Sequence, residues 1–289
     1  MYKWVSDSVV VAENEHGSNI FCVALNDELI FIDAGMLHGY TSKFREEMER
    51  HYGLEASTLY ITHAHIDHIL AMNAFSDCEI VAAEAARPRF EAHMATDFTE
   101  ERLSRMEGVF PHIREGVLEG EFLEPTTWVE SRSGHNGVVF NVQGGHSACS
   151  SSIYIPEENC VALGDLVQSE RPPYFGEPDT DTQSWISALD AWEGSDIAHV
   201  LPGHGPVVSK GYLGGVSGYF RDLNALLRSL KLENIPGEEV HLSESLPQGY
   251  WPRDEMKKPA HYYSVRRLYA NLWGKLTGFS PQSRLKFSL

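Results

Sequence analysis

The sequence is poor in cysteine, in basic residues and in long apolar runs, and each shortage closes off a class of protein. Four cysteines in 289 residues, Cys22, Cys78, Cys149 and Cys160, stand without any Cys-x-x-Cys spacing. That argues against a disulfide framework and a thiolate zinc site, and predicts reduced, mostly buried thiols. Lysine and arginine number 23 against 41 aspartates and glutamates, a net charge of −18. A field of that sign repels a phosphate backbone and an anionic bilayer, so neither nucleic acid nor a membrane is an expected partner. No stretch approaches the ~18 consecutive apolar residues of a membrane span. The N-terminus also lacks the basic-then-apolar pattern of a signal peptide, so the expected location is cytoplasmic.

What is present is ordinary globular material, 42% hydrophobic and 22% charged, with ample chain to bury a core. Short β-rich runs at 8–11, 20–25 and 29–32, separated by turn residues, predict an antiparallel opening. Phe44, Met48 and Tyr52 are four apart, which predicts a helix over 42–52 feeding a strand at 58–62. A helix over 68–75 and a strand at 79–82 continue in α/β order. Residues 83–125, rich in Arg, Glu, Met and Phe and punctuated by Pro88 and Pro111, read as a helical insertion. Strands at 137–142, 151–155, 160–163 and 197–201, with a helix over 182–192, mirror the first part. A long helix over 213–232 and a last one near 262–276 make a helical C-terminal extension, 211–289, packing on a domain of residues 1–210. Trp185, Leu189 and Trp192 fall at helical spacing and are expected in the core. Tyr219 and Phe220 are candidates for lining a cleft.

The chemistry concentrates in Thr62-His63-Ala64-His65-Ile66-Asp67-His68, directly after a predicted strand. In extended backbone His63 and His65 point one way while Ala64 and Ile66 point into the core. Asp67 and His68 follow at the turn. Imidazole and carboxylate donors without thiolate suit catalytic zinc, manganese or iron. Three further groups stand at predicted strand ends: Gly144-Gly145-His146-Ser147, Gly164-Asp165 and Pro202-Gly203-His204-Gly205. Each alone reads equally well as a turn. Their joint occurrence along an α/β chain is poorly explained by turns.

The set His63, His65, Asp67, His68, His146, Asp165 and His204, preceded by Asp33-Ala34-Gly35, resembles the motif signature of the metallo-β-lactamase superfamily over roughly residues 8 to 208. The resemblance implies an α/β fold, an αββα sandwich with two divalent metal ions, foremost zinc with manganese or iron as alternatives, between the sheets. It implies that His63, His65 and His146 hold one ion, that Asp67, His68 and His204 hold the other, and that Asp165 bridges them. Asp33 would orient ligands from behind. Two such cations sharing a water lower its pKa towards about 7 and present hydroxide as a nucleophile. Asp67 is the expected catalytic proton carrier.

The insertion and the stretch after Asp165 are expected to wall the pocket, with Arg171 as an anion partner and Tyr174 and Phe175 as an apolar surface. The glyoxalase II and lactonase branches resemble this ligand pattern, so the implied activity is hydrolysis of a small-molecule thioester, lactone or other ester. One alternative is a mono-iron persulfide dioxygenase using His63, His146 and Asp165. Another is a sulfate-ester hydrolase, since the tail 263–289, with Arg267-Leu268-Tyr269 and Gly278-Phe279-Ser280-Pro281, faintly resembles alkyl sulfatases. Those enzymes carry acidic ligands where this chain has His146. The apolar tail also offers a surface for a homodimer.

Overall fold

The computed structural model describes residues 2–14, 17–135 and 137–277. Its strands form two sheets. The first runs β1 (Tyr2–Trp4), β2 (Val9–Ala12), β3 (Ile20–Leu25), β4 (Glu28–Ile32), β5 (Ala56–Tyr60), β6 (Glu79–Ala83) and β7 (Thr127–Val129), neighbours in chain order. Pairing is antiparallel up to β4 and parallel from β4 onward. The second runs β8 (Arg132–His135), β9 (Val138–Val142), β10 (Ser151–Ile155), β11 (Cys160–Gln168), β12 (His199–His204) and β13 (Val208–Ser209). Only β11 and β12 pair in parallel there. The helices are α1 (His38–Tyr52), α2 (Ile66–Ile69), α3 (Arg87–Met94), α4 (Glu100–Met106), α5 (Ile113–Glu119), α6 (Thr182–Glu193), α7 (Gly211–Leu232), α8 (Arg253–Met256) and α9 (Pro259–Thr277).

β2, β3 and β4 are near-continuous runs of Val, Ile, Phe and Leu because both faces of the sheet are covered. On one face α1 lays Phe44 and Met48, and Phe44 meets Phe31 edge-on at 5.9 Å. On the other lies the second sheet, where Phe140 of β9 stacks on Tyr60 of β5 at 6.1 Å. The outer face of the second sheet is covered by α6 and α7, whose Trp185, Leu189, Leu213, Phe220 and Leu223 share a core with Val161, Leu163 and Val200. Each such side chain taken fully out of water contributes about 1.5–3 kcal/mol. The result is a helix–sheet–sheet–helix sandwich.

Several expectations change. α1 begins four residues before 42, and the short strands β1, β7, β8 and β13 were not expected, since two to four residues carry too little period to read. The insertion is helical through α3, α4 and α5, builds a small core of Met36, Ile66, Leu70, Met106 and Ile113, and returns to the sheet as β7 beside β6. β11 continues past Leu163 with its register slipping around Gly164, so Asp165 sits inside an irregular strand rather than after one. Tyr219 and Phe220 are fully buried and line no cleft, because α7 turns that face to the second core. All four cysteines are buried and unpaired. Gly278-Phe279-Ser280-Pro281 lies outside the described residues, among which no helix is long and apolar enough to cross a membrane.

Candidate metal centre

The parallel pairs β4–β5 and β11–β12 bring strand C-termini to one edge of the sandwich, where open α/β sheets offer a crevice. Asp33 follows β4, the run from Thr62 to His68 follows β5, Asp165 lies in β11 and His204 closes β12. His146 comes from the loop between β9 and β10. Backbone bonds join the two halves here: Ser151 N donates to Thr62 O at 2.9 Å and Asn19 N to Gly203 O at 2.7 Å. Buried Asn19 adds Nδ2 bonds to Pro202 O at 3.0 Å and Gly205 O at 2.8 Å, fixing the loop that carries His204.

Two clusters result, in each of which the donor atoms lie within 4.8 Å of one another. In the first, Nε2 of His63 and Nε2 of His146 each stand 3.0 Å from Nδ1 of His65, with Asp165 alongside. In the second, His204 Nε2 is 3.2 Å from Asp67 Oδ2, and His68 Nε2 is 4.0 Å from the same oxygen. Asp165 reaches both: Oδ1 is 3.3 Å from Nε2 of His68 and of His204, and Oδ2 is 3.8 Å from Nε2 of His146. His63, His68 and His146 are almost wholly buried.

The outward nitrogens of His63, His68 and His146 are already engaged, and that of His65 makes a charge contact without a hydrogen bond. Thr62 Oγ1 spends its proton on Asp33 Oδ2 at 2.7 Å and so accepts from His63 Nδ1 at 3.1 Å. His68 Nδ1 donates to Asp33 Oδ2 at 2.8 Å, and His146 Nδ1 donates to the Tyr174 carbonyl at 2.7 Å. His65 Nε2 faces Glu177 Oε1 at 3.3 Å. With the outer nitrogens so used, the inner nitrogens of His63 and His146 present lone pairs inward, and that of His68 does so once its proton is displaced. His68 Nε2 and Asp165 Oδ1 are buried with no hydrogen-bond partner. A convergent, oriented set of imidazoles and carboxylates, two of whose buried inward atoms have no partner, is what divalent cations take as ligands, so the residues fit a pair of metal ions.

The electrostatics divide along the same line. Burial, helped by neighbouring His68 and His65, pushes His63 well below the usual histidine value. Burial and His65 bring His146 down to about 4. Burial would lower His68 too, but Asp33, Asp165 and Asp67 raise it well above the usual value. His204 rises against its burial through Asp165 and Asp67, with Arg171 acting the other way. Burial would raise Asp67 and Asp165, and the charges of His68 and His204 override it and hold both carboxyls low.

Two glycines permit the close approach. Gly164, at φ +50°, lies where a Cβ would run into Thr62, and a Cβ on Gly203 would overlap the Asp165 carboxylate. Of the expected substrate contacts, Arg171 is exposed near His204. Tyr174 is half-buried and lies parallel to Tyr263 with ring centroids 6.5 Å apart. Phe175 is 0% exposed, packed against Tyr219, Phe220 and His261, so it is a core residue with no surface to offer a substrate. The sequence singled out neither Glu177 nor Asn19, and placed Arg89 and Gln168 only within stretches expected to wall the pocket; Gln168 Nε2 donates to Asp165 Oδ2 at 2.6 Å. None sits in a ligand-like spacing, and only the fold brings them in.

Fold and site define an αββα protein with paired His/Asp clusters that could hold metal ions at the edge between its sheets. The sequence matches the model of the metallo-beta-lactamase superfamily over residues 14–204, and the chain belongs to that superfamily. A sequence search of curated proteins finds no match. Among solved structures, the stereoselective inverting sec-alkylsulfatase Pisa1 from Pseudomonas sp. is similar with a TM-score of 0.74 and 14% identity, covering 100% of this chain and 52% of that one. This chain thus spans about half the length of that enzyme. The DIM-1 metallo-beta-lactamase matches with a TM-score of 0.58 and 16% identity, over 76% of this chain and 96% of that one. VMB-1 matches with 0.57 and 19%, over 75% and 94%. At these identities the likeness is one of fold.

Proposed function

We propose that this protein is a dinuclear metal-dependent hydrolase of a small thioester, lactone or other carboxylic ester, with zinc as the foremost metal. The observation that carries the reading is Asp165, whose two oxygens address both clusters while the imidazole lone pairs converge around it. His63, His65 and His146 would hold one cation, Asp67, His68 and His204 the other, and Asp165 both. When bound, such a pair supplies a nucleophile from water at neutral pH and polarises the carbonyl under attack. Asp67, 7% exposed and beside His204, is placed to take up or return the proton. Gln168 orients Asp165 and keeps its second oxygen from turning away. Arg171 at the rim supplies a positive charge for an anionic substrate group.

A second reading, sulfate-ester hydrolysis, draws support from the sec-alkylsulfatase, whose match extends over the whole chain, C-terminal helices included. The His146 imidazole in the first cluster speaks for carboxylic esters instead. The test is metal content by mass spectrometry together with anaerobic turnover of thioesters, lactones and secondary alkyl sulfates. About two zinc or manganese ions per chain with oxygen-independent ester turnover supports the proposal, and sulfate release alone transfers it to the second reading. One iron and strict oxygen dependence would replace both with the dioxygenase.

A further inference from the structure

Residues 174–178 form a strap that touches the first cluster from outside at two points. The Tyr174 carbonyl receives the His146 Nδ1 proton at 2.7 Å, and Glu177 Oε1 stands 3.3 Å from His65 Nε2. The strap is gripped from both sides by the two parts of the chain that lie outside the sandwich. From the insertion, Arg89 of α3 donates one terminal nitrogen to Glu177 Oε2 at 2.9 Å and to Asp179 Oδ1 at 2.8 Å. From the extension, α9 presents Ser264, Arg267 and Asn271, three and four residues apart and therefore on one face. Ser264 Oγ accepts from Phe175 N at 3.3 Å, Arg267 Nε donates to Gly176 O at 3.5 Å, and Asn271 Nδ2 donates to Glu177 O at 3.1 Å.

Resting on the metal-centre reading above, we propose that Glu177 is a positioning residue for His65 and that Arg89 acts through it, so that the helical insertion reaches the first cluster through a two-link ion-pair chain. A carboxylate on the outer nitrogen of a ligand imidazole fixes the ring's orientation and makes its inner nitrogen a better donor. The Glu177 side chain is only 10% exposed, so water does not stand in for a lost partner. Arg89, 25% exposed, pairs with Glu177 Oε2 at 2.9 Å and joins His65 in holding this buried carboxylate charged. Removing Arg89 therefore leaves Glu177 Oε2 unheld and the carboxylate free to turn from His65, and the ring loses its anchor.

The test uses the full-length chain, chelated and reloaded with cobalt(II), with affinity read by competition against a chelating dye and ligand field by the visible spectrum. E177Q and R89Q are each expected to weaken first-cluster cobalt binding about 10- to 100-fold and to shift its visible band. Binding to the second cluster stays as in the parent chain. R89K, which restores a cation, recovers most of the affinity, and the R89Q/E177Q pair binds no more weakly than E177Q alone. Parent-like cobalt affinity and spectrum in E177Q, with only a lowered melting temperature, would overturn the inference. So would additive losses in the double variant. A parent chain that takes up two cobalt ions while the variants behave identically to it sinks this inference alone, whereas a parent chain that takes up none sinks the metal centre itself.

Discussion

Asp33 and His68 are joined by a 2.8 Å hydrogen bond between two residues no more than 1% exposed. The same carboxylate takes the backbone N–H of Thr62 at 2.8 Å and its hydroxyl at 2.7 Å. Asp33 does this from φ +59°, a left-handed conformation that few residues other than glycine hold without support. Its three accepted bonds are that support, and they set the angle of His68 at the second cluster.

Replacing Asp33 with Ala strands the buried Thr62 N–H and the His68 Nδ1–H. The expected cost is about 3 kcal/mol of folding stability, from the penalty for leaving such groups unpaired. Second-cluster affinity should fall about 10- to 100-fold, and first-cluster affinity should fall less, through Thr62, whose hydroxyl links Asp33 to His63 Nδ1. Urea unfolding and a cobalt titration read the two effects separately.

Protons and metal ions compete for the same nitrogen lone pairs. Burial lowers His63 and His146, the latter to about 4, so near pH 6 their lone pairs are free for a metal. His68 and His204 are raised by their aspartate neighbours and keep protons that a metal must displace. Zinc added to the chelated protein at pH 6 should therefore bind one equivalent tightly and a second weakly, and the second should strengthen as the pH rises to 8. Calorimetry in buffers of different ionisation heat would count the protons released. Equal pH dependence of both equivalents would contradict the assignment.

Gly203→Ala places a methyl group on the Asp165 carboxylate, with backbone of Gly164 and Asp165 behind it. Asp165 cannot retreat without losing its 2.6 Å bond from Gln168. Loss of at least one bound metal per chain is expected, read by elemental analysis after gel filtration, together with about 1–3 kcal/mol of stability.

Asp67→Asn keeps the shape of the second cluster but removes the basic oxygen facing His204. At saturating zinc, kcat should fall about 10²- to 10⁴-fold, the range for a lost proton carrier. Full turnover with both metals retained would show that the proton moves elsewhere.

The run His63 to His68 stood out because four metal-capable side chains at one strand end leave a dense local signal. His146, Asp165 and His204 were legible through the glycines beside them and the order in which they recur. The Glu177–Arg89 pair left no such trace, being 88 residues apart and held by a strap and an inserted helix with no periodic relation. Tyr174 and Phe175 look alike as neighbours in sequence, yet packing sends Phe175 into the core and leaves Tyr174 half-buried beside His146. The central strands declared themselves by apolar runs. β7, β8 and β13 did not, because their strand character comes from the neighbour each one pairs with.

The ligand run His63 to His68 belongs to one sheet, and His146, Asp165 and His204 belong to the other. A cation held between them would be a rivet through the seam of the sandwich, and would couple folding to the surrounding metal pool. Each site filled at a hundredfold excess over its Kd adds about 2.7 kcal/mol against unfolding. Under metal starvation that reinforcement is withdrawn at the seam, so the lifetime of the chain, and with it its abundance, would follow the metal supply even where its synthesis does not change.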